Sequence, residues 1–476
     1  MKTSKKILAI LLAVMMILSI IPLTASAYDY SGTCGDNLTW MIDIETDTLV
    51  ISGSGEMYDY VDWAPWWSRR SSFNKVVIEN GVTSIGRRAF ADFSNITSII
   101  IPDSVITIAD YAFHFCTSLD KIMIPDSVTI IGESVFAFCE SLKYAEIGNS
   151  VTTIEDFMFD CCYNLESVAI GENVTIIGDS AFFACKSLKS LTIPDGVKII
   201  GMGAFAYCES LNNILIPDSV ITIGVGAFEN CERLKKVIIP NGITTINEDV
   251  FSYCRSLSSI VIPNSVTLID DSAFRYCTSL KSITIPDSVT AIGQYAFYDC
   301  YALEELKIGD GTTKISDYAF AYCDSLVTVT IGRGLTMIGE CAFRFCEGIT
   351  DVYYHGTEQE WNGIQVSVAN RPLVMANIHF LGDDAHACIY EVVDIKPTCV
   401  EQGYMTYTCE CGESYVEDYM DATGHMDDDK DGYCDACDEL LCNHACHKGG
   451  FFWKITLFFN KLFRTKQYCS CGVAHY

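Results

Sequence analysis

The sequence predicts a solenoid, in which a short unit repeats and each coil contributes one short strand to a parallel sheet. Two observations support this prediction. A Phe recurs every 23 residues from Phe90 to Phe343, twelve times and without an insertion. An Ile five residues before each Phe recurs in step, and so does an Ile that ends a strand-like run, from Ile78 to Ile331. One unit cannot bury its apolar side chains alone, whereas stacked units cover one another.

Each part of the unit has its own pattern. The run Leu-x-x-Ile-x-Ile, as at 280–285, alternates with a period of two and predicts a short strand. The Pro-Asp-Ser or Pro-Asn-Ser that follows predicts a turn. The segment Gly-x-x-Ala-Phe-x-x-Cys is too short for a full helix, so we expect a helical or 3₁₀ turn. Together these parts predict one coil of a leucine-rich-repeat solenoid.

The unit at 273–293, AFRYCTSLKSITIPDSVTAIG, resembles the BspA-type leucine-rich repeats of bacterial surface proteins. Their signature is IPDSVxxIGxxAFxxCxSLxxI, and the resemblance covers residues 75–350. Gly replaces the Pro in four units and Phe93 replaces the first Cys, without a change of register. The resemblance implies an adhesin-like protein that binds proteins of a host or of neighbouring cells.

The N-terminus and the charge predict where the protein works. Lys2, Lys5 and Lys6 precede an apolar run at 7–21, and Ala-Ser-Ala at 25–27 follows. This pattern predicts a secretory signal peptide cleaved after Ala27, with a retained membrane anchor as the competing interpretation. The predicted location is extracellular or at the cell surface. A formal net charge of −30 disfavours nucleic acid as a partner.

These patterns predict six segments along the chain. They are a signal peptide at 1–27, an N-terminal cap at 28–74, the solenoid at 75–350, a C-terminal cap at 351–382, a Cys-rich module at 383–425 and a tail at 426–476. The capping segments are expected because the ends of a solenoid must be sealed. Segment 352–382 also resembles the usual closing cap of the family.

One cysteine position recurs in eleven repeats. Its members are Cys116, Cys139, Cys162, Cys185, Cys208, Cys231, Cys254, Cys277, Cys300, Cys323 and Cys346. They share one phase of the repeat, so they point the same way, and an odd number leaves one unpaired. We interpret them as small buried thiols that fill the interior. Disulfides or a metal are the competing interpretation.

The strands of such a solenoid line a concave face, where the residue between the two inward positions points outward. That column is Val77, Ile100, Met123, Glu146, Ala169, Thr192, Leu215, Ile238, Val261, Thr284, Lys307 and Thr330. Contiguous exposed apolar residues often mark a partner site. The predicted site is Ile100, Met123, Leu215, Ile238 and Val261. The competing interpretation is that β-branched residues simply suit a strand.

Aromatic residues cluster before the first repeat, at Trp63, Trp66 and Trp67. We predict that they belong to the N-terminal cap and cover the first coil. A platform on which carbohydrate rings stack is the alternative.

The tail contains candidate metal ligands. The spacing of DDDKDGYCDACDE predicts a calcium loop with ligands Asp427, Asp429, Asp431, Tyr433 and Asp438, and a solvated acidic linker is the alternative. Zinc or disulfides are a further interpretation. Their candidate residues are Cys434, Cys437, Cys442, His444, Cys446, His447, Cys469 and Cys471. For Cys388, Cys399, Cys409, Cys411 and His425, disulfides and zinc are both open.

The last segment contrasts with the acidic chain, because residues 441–476 carry five basic and no acidic side chains. Apolar residues at 451–462 share one helical face, with Lys454 and Lys461 opposite. This pattern predicts contact with an anionic membrane or the cell wall. A helix packed on the protein itself is the alternative.

No phosphate loop, nucleophile elbow or HExxH motif occurs in the sequence, so we predict that the protein is not an enzyme. We expect no cofactor in the repeats. The predicted function is adhesin-like binding of an extracellular protein through the concave face. The alternative is a scaffold or accessory of an extracellular carbohydrate-active system.

Overall fold

A computed structural model describes residues 30–382 and five strands beyond them, at 390–395, 403–409, 414–420, 467–468 and 474–475. The chain divides into two units. One comprises Ala25–Ala387 and contains the solenoid, and the other includes Cys388–Tyr476 and contains the five later strands. The predicted signal peptide lies outside the described residues.

The chain opens with an antiparallel meander of three strands, β1 (Tyr30–Gly35), β2 (Leu38–Asp43) and β3 (Thr48–Gly53). Short strand β4 (Gly55–Glu56) and one 3₁₀ turn (Trp67–Arg69) follow. The third strand then pairs in parallel with the first strand of the solenoid. The meander is thus the N-terminal end of the solenoid's own sheet.

Each coil places its Leu-x-x-Ile-x-Ile run in a first layer of parallel strands. These are β5 (Lys75–Ile78), β7 (Ser98–Ile100), β9 (Lys121–Ile124), β11 (Tyr144–Ile147), β13 (Ser167–Ala169), β17 (Lys236–Ile238), β19 (Ser259–Val261), β21 (Ser282–Ile285), β23 (Glu305–Ile308), β25 (Thr328–Ile331), β27 (Asp351–Tyr354) and β29 (Asn377–Phe380). Paired residues of successive repeats are 23 apart, as Lys121 and Tyr144 are. In the two coils without a strand here, Thr192 and Leu215 form a single bridge.

A second layer of shorter parallel strands forms where the repeat reads x-Ile before the Gly position. These are β6 (Val82–Ile85), β8 (Thr107–Ile108), β10 (Ile130–Ile131), β12 (Thr153–Ile154), β14 (Ile176–Ile177), β15 (Ile199–Ile200), β16 (Thr222–Ile223), β18 (Thr245–Ile246), β20 (Leu268–Ile269), β22 (Ala291–Ile292), β24 (Lys314–Ile315), β26 (Met337–Ile338) and β28 (Gln365–Val366). The sequence analysis did not predict this layer, because two residues are too few to show a period of two.

The C-terminal end of the solenoid carries two single-turn helices, α1 (Glu358–Trp361) and α2 (Arg371–Val374). Thr357 caps α1 in a reciprocal capping box with Glu360. In the second unit, β30 (Tyr390–Ile395), β31 (Gly403–Cys409) and β32 (Ser414–Met420) form an antiparallel sheet, and β33 (Gln467–Tyr468) pairs with β34 (Ala474–His475).

The core consists of stacked columns. The twelve repeated Phe rings, from Phe90 to Phe343, are at most 1% exposed and stack coil upon coil. Their centroids lie 5.0–5.6 Å apart and the planes differ by 4–15°. Each ring therefore covers the ring of the coil before it, which a single coil cannot do.

The eleven repeated cysteines are buried and form no disulfide with one another or with any other described residue, which confirms the packing interpretation. Each thiol also donates a hydrogen bond to the carbonyl of the Phe in the preceding coil, at 3.0–3.4 Å. Cys231, for example, donates to the Phe205 carbonyl. At the first coil, the replacement residue Phe93 packs against Phe73 of the N-terminal segment instead.

The Gly-x-x-Ala-Phe-x-x-Cys segment forms a series of turns, and the prediction of a helical piece is wrong here. Some N–H groups of this segment donate to a carbonyl of the same coil, as Cys116 does to the Phe113 carbonyl. Others donate to a carbonyl of the next coil, as Phe113 does to the Val135 carbonyl. Two residues per coil take a positive φ, such as Tyr111 (58°) and Phe115 (58°). This conformation costs a non-glycine residue about 1–2 kcal/mol and breaks a helix.

Two side chains complete this ladder of backbone hydrogen bonds at its ends. At the N-terminal end, the Trp66 indole N–H donates to the Ala89 carbonyl at 3.0 Å, and the ring stacks on Phe90. At the C-terminal end, Asn370 accepts from the Phe343 N–H at 2.9 Å and donates to Gly339. Each side chain takes the place of the backbone group that a further coil would supply.

Candidate binding surfaces

The outward column of the first strand layer, from Val77 to Thr330, is called here the strand face. The sequence-predicted site residues lie on it with their side chains towards solvent. Ile100 is 58% exposed, Met123 55% and Leu215 56%, and Ile238 and Val261 are half-buried. Their neighbours within the strands, such as Ile122 and Ile124 beside Met123, are buried. The alternation therefore points the predicted residues outward.

The predicted residues do not form one continuous row. Ile238 lies directly opposite Val261 in the register of β17 and β19, and Leu215 occupies the same column one coil earlier. Ile100 and Met123 belong to earlier coils. Glu146, Ala169 and Thr192 fill the column between Met123 and Leu215. The strand face thus carries an N-terminal and a central apolar segment, separated by three coils.

Beyond Val261 the strand face becomes polar. Thr284, Lys307 and Thr330 lie opposite one another in successive strands. Beyond the strand face the same column continues through Tyr353 to His379, whose rings stack with centroids 4.7 Å apart. The His379 Nε2 atom lies 2.8 Å from Asp351 Oδ1. Hydrogen bonding from His379 lowers the pKa of Asp351.

The three tryptophans of the N-terminal segment divide into two roles. Trp66 is buried and covers the first coil, as the capping prediction requires. Trp63 is 51% exposed and stacks on Trp67 at 4.3 Å. The Arg70 guanidinium lies over the Trp67 ring, 3.8 Å from its centroid. Trp63 therefore stays half exposed after the cap is complete.

Sequence reasoning missed a further surface, on the edge of the solenoid that carries the turns. We call it the aromatic edge and define it as Tyr253, Tyr276, Tyr295, Tyr298, Tyr318, Tyr322 and Phe345. Its rings contact one another across five coils, with centroids 4.5–5.7 Å apart. The signal in the sequence is that the variable positions two residues before and one or two residues after the repeated Phe are aromatic in several coils.

Within the part of the chain that the structure describes, no three His, Cys, Asp or Glu side chains are grouped to hold a metal ion. The predicted calcium, zinc and disulfide residues, from Asp427 to Cys471, lie outside the described residues, so those predictions stay predictions. No helix among residues that the structure describes is long and apolar enough to cross a membrane.

A protein-family model, described as a BspA-type leucine-rich repeat region with six copies, matches residues 67–189, 175–302 and 244–362. These matches cover 67–362, which is more than half of the chain. The chain belongs to the BspA-type leucine-rich-repeat family. The predicted fold class and family are thus confirmed. BspA-type membership describes a repeat scaffold and assigns no catalytic activity, so the prediction that this chain is not an enzyme stays a prediction.

The chain is similar to several solved structures of bacterial leucine-rich-repeat proteins. A protein from Eubacterium ventriosum is 23% identical, with a TM-score of 0.48 over 72% of this chain and 95% of its own. A leucine-rich cell surface protein from Faecalibacterium prausnitzii is 27% identical, with a TM-score of 0.41 over 72% and 99%. A protein from Bacteroides ovatus is 24% identical, with a TM-score of 0.49 over 74% and 100%. No curated protein matches the chain significantly.

Proposed function

We propose that this BspA-type protein is an adhesin-like interaction protein that works outside the cell or at its surface, and that it binds an extracellular protein through the strand face. The observation that carries the proposal is the central apolar segment of the strand face, Leu215, Ile238 and Val261, in which three consecutive coils present aliphatic side chains outward. The same column carries Thr and Lys in the later coils.

The composition of this segment suits a protein interface. Burying exposed aliphatic area contributes about 25 cal/mol per Å², and Leu215 has the most to bury. Lys236 and Ser259 flank the segment on β17 and β19 and supply a polar rim. An apolar centre with a polar rim is the usual arrangement of interface hot spots.

The surface location rests on the signal-peptide pattern before residue 28 and on the family. Retention through the basic tail, by contact with an anionic membrane or the cell wall, is part of the same proposal. Calcium or zinc would act in the tail, at the residues named from the sequence, and not in the repeats.

The proposal is tested by binding the full chain to a panel of immobilised extracellular matrix proteins. The variant Leu215→Asp/Ile238→Asp places two charges in the central apolar segment. We expect saturable binding by the unmodified chain and a loss of affinity of about tenfold or more in the variant, because two carboxylates replace apolar side chains and must be desolvated on binding.

The matched control is Thr284→Asp/Thr330→Asp, which adds the same charges to the same column in later coils. This control should keep its affinity within about twofold. Equal losses of affinity in both variants, or unchanged affinity in both, would contradict binding at the central apolar segment.

Carbohydrate binding is the second candidate function, and the exposed face of Trp63 favours it. Aromatic faces are suited to apolar sugar faces because the ring is broad, rigid and apolar. Saturable binding of a glycan that Trp63→Ala abolishes, with unfolding unchanged, would favour the carbohydrate-associated role.

A further inference from the structure

The aromatic edge combines three features. The first is the placement of bulky aromatic side chains at turn positions that take a positive φ. Six of its seven residues have φ between 57° and 64°, and only Tyr298 does not. Gly, Asn and Asp adopt this conformation most easily, whereas bulky aromatic residues adopt it at a cost in free energy. Strained residues held by a rigid scaffold often serve function.

The coils just before the aromatic edge provide an internal control. There the same two positive-φ positions hold Ser180, Ala184, Gly203, Tyr207, Gly226 and Asn230, and five of these six residues are not aromatic. The turn, the Phe column and the cysteine hydrogen bonds continue unchanged through these coils. Aromatic rings at these positions are therefore unnecessary for folding the turn.

The second feature is an arginine among tyrosines. The Arg275 guanidinium lies 5.0 Å from the Tyr276 ring centroid and 5.6–6.0 Å from those of Tyr298, Tyr295 and Tyr253. Its Nε is buried and finds no hydrogen-bond partner among the described residues. Tyrosine together with arginine is the composition of hot spots in protein interfaces.

The third feature is a carboxylate set inside the aromatic column. Asp299 occupies the column position between Tyr276 and Tyr322, one coil from each, with φ of 58°. Burial and the neighbouring Asp324 raise the pKa of Asp299. Among the described residues Asp299 has no ion pair within 4.0 Å, although the more distant Arg255 partly offsets its charge. A half-buried carboxylate between tyrosines is suited to a cationic side chain.

The arrangement of the rings indicates the class of partner. Tyr253 and Tyr276 stack face to face at 4.5 Å, as do Tyr295 and Tyr318 at 5.1 Å. Each stack covers one face of each of its two rings, and the Arg275 guanidinium lies over Tyr253, Tyr276 and Tyr295 as well, which favours approach of a ligand to the ring edges and phenol hydroxyls. Sugar rings need open faces, whereas the alkyl stems of Lys and Arg pack along edges. A formal net charge of −30 also attracts a cationic partner.

We propose that the aromatic edge is a second docking surface, separate from the strand face, and that it binds a basic polypeptide segment whose Lys or Arg side chain reaches Asp299. The stems of the basic side chains pack against Tyr276 and Tyr322. The phenol hydroxyls and the Asp299 carboxylate accept hydrogen bonds from their ammonium or guanidinium groups.

The experiment measures binding of the full chain to a fluorescein-labelled peptide of alternating Lys and Ala, by fluorescence anisotropy at physiological salt. The variants are Asp299→Asn and Tyr276→Ala/Tyr322→Ala. Asp195→Asn, in an exposed turn between the strand layers, is the control that changes the charge equally. We expect each aromatic-edge variant to lose about tenfold in affinity and the control to stay within about twofold.

The near-isosteric Asp299→Asn variant keeps the test valid if the tyrosine variant unfolds. No binding by the unmodified chain, or equal losses in Asp299→Asn and Asp195→Asn, would overturn the proposal. Binding of a neutral glycan that only the tyrosine variant loses would point to carbohydrate instead and would also overturn it. Leu215→Asp/Ile238→Asp should bind the peptide normally, so the two docking surfaces can fail separately.

Discussion

The Phe column of the interior and the strand face of the surface run through the same twelve coils but differ in how much they vary. The interior position is Phe in every coil. The outward position is Val, Ile, Met, Glu, Ala, Thr, Leu or Lys, and changes in almost every coil. The interior repeats because each ring must cover an identical ring 5.0–5.6 Å away.

This difference indicates which positions of the repeat can specify a function. A residue stacked between two copies of itself is constrained by packing, since any change leaves a gap or a clash with both neighbours. A residue whose side chain points to solvent meets no such constraint. Departures from the repeat on outward positions are therefore free to specify a partner, and the strand face and the aromatic edge both consist of such departures.

The largest expected difference between interior and surface is in their response to alkaline pH. Burial raises the pKa of nine thiols of the cysteine column. These are Cys116, Cys162, Cys185, Cys208, Cys231, Cys254, Cys277, Cys300 and Cys323. In the unfolded chain thiols ionise near their ordinary pKa of 9.0. Above that pH the folded chain holds more protons, so the free energy of unfolding falls as pH rises.

Each such thiol lowers the free energy of unfolding by about 1 kcal/mol between pH 9 and pH 10. The sum over nine thiols is comparable to the whole stability of a domain, about 5–15 kcal/mol. We expect urea midpoints to fall steeply above pH 9 and hardly at all between pH 7 and pH 8. Cys231→Ala/Cys254→Ala should reduce the alkaline slope, and an unchanged slope would contradict this account.

The next largest difference concerns truncation of a side chain. Phe228→Ala removes a ring stacked at 5.4 Å on Phe205 and at 5.6 Å on Phe251, and should cost about 3–5 kcal/mol. Leu215→Ala, on the strand face of the same coil, should stay within about 0.5 kcal/mol. Urea unfolding followed by circular dichroism measures both. Equal costs would mean that the strand face belongs to the core.

The smallest expected difference separates the end of the solenoid from its middle. Trp66→Phe keeps an aromatic ring on Phe90 but leaves the Ala89 carbonyl without its donor, at a cost of about 1–3 kcal/mol. Because each coil contacts only its neighbours, the loss of stability should be confined to the first coils. Hydrogen exchange should quicken in the first coils and stay unchanged near Phe228. Uniformly faster exchange would show that the solenoid unfolds as one unit.

The sequence predicted the fold closely and the candidate surfaces in part. A fixed spacing of 23 residues places equivalent residues of successive coils next to one another. The strand layer, the buried cysteines and the outward position of Leu215 all follow from this pattern. Trp66 was expected in the cap because the end of a solenoid must be sealed. The split between buried Trp66 and exposed Trp63 could not be read from the sequence, since all three tryptophans lie within five residues of one another.

By itself, therefore, the sequence determined the period, the register and the composition of the interior, because these depend only on identical units covering one another. Tertiary structure alone decided the turns, in which N–H groups bond to the next coil and no helix forms. It also decided that Trp66 and Asn370 end the ladder, and that the rings of the aromatic edge contact one another around Arg275. Each of these depends on which groups meet in space after the coils have stacked.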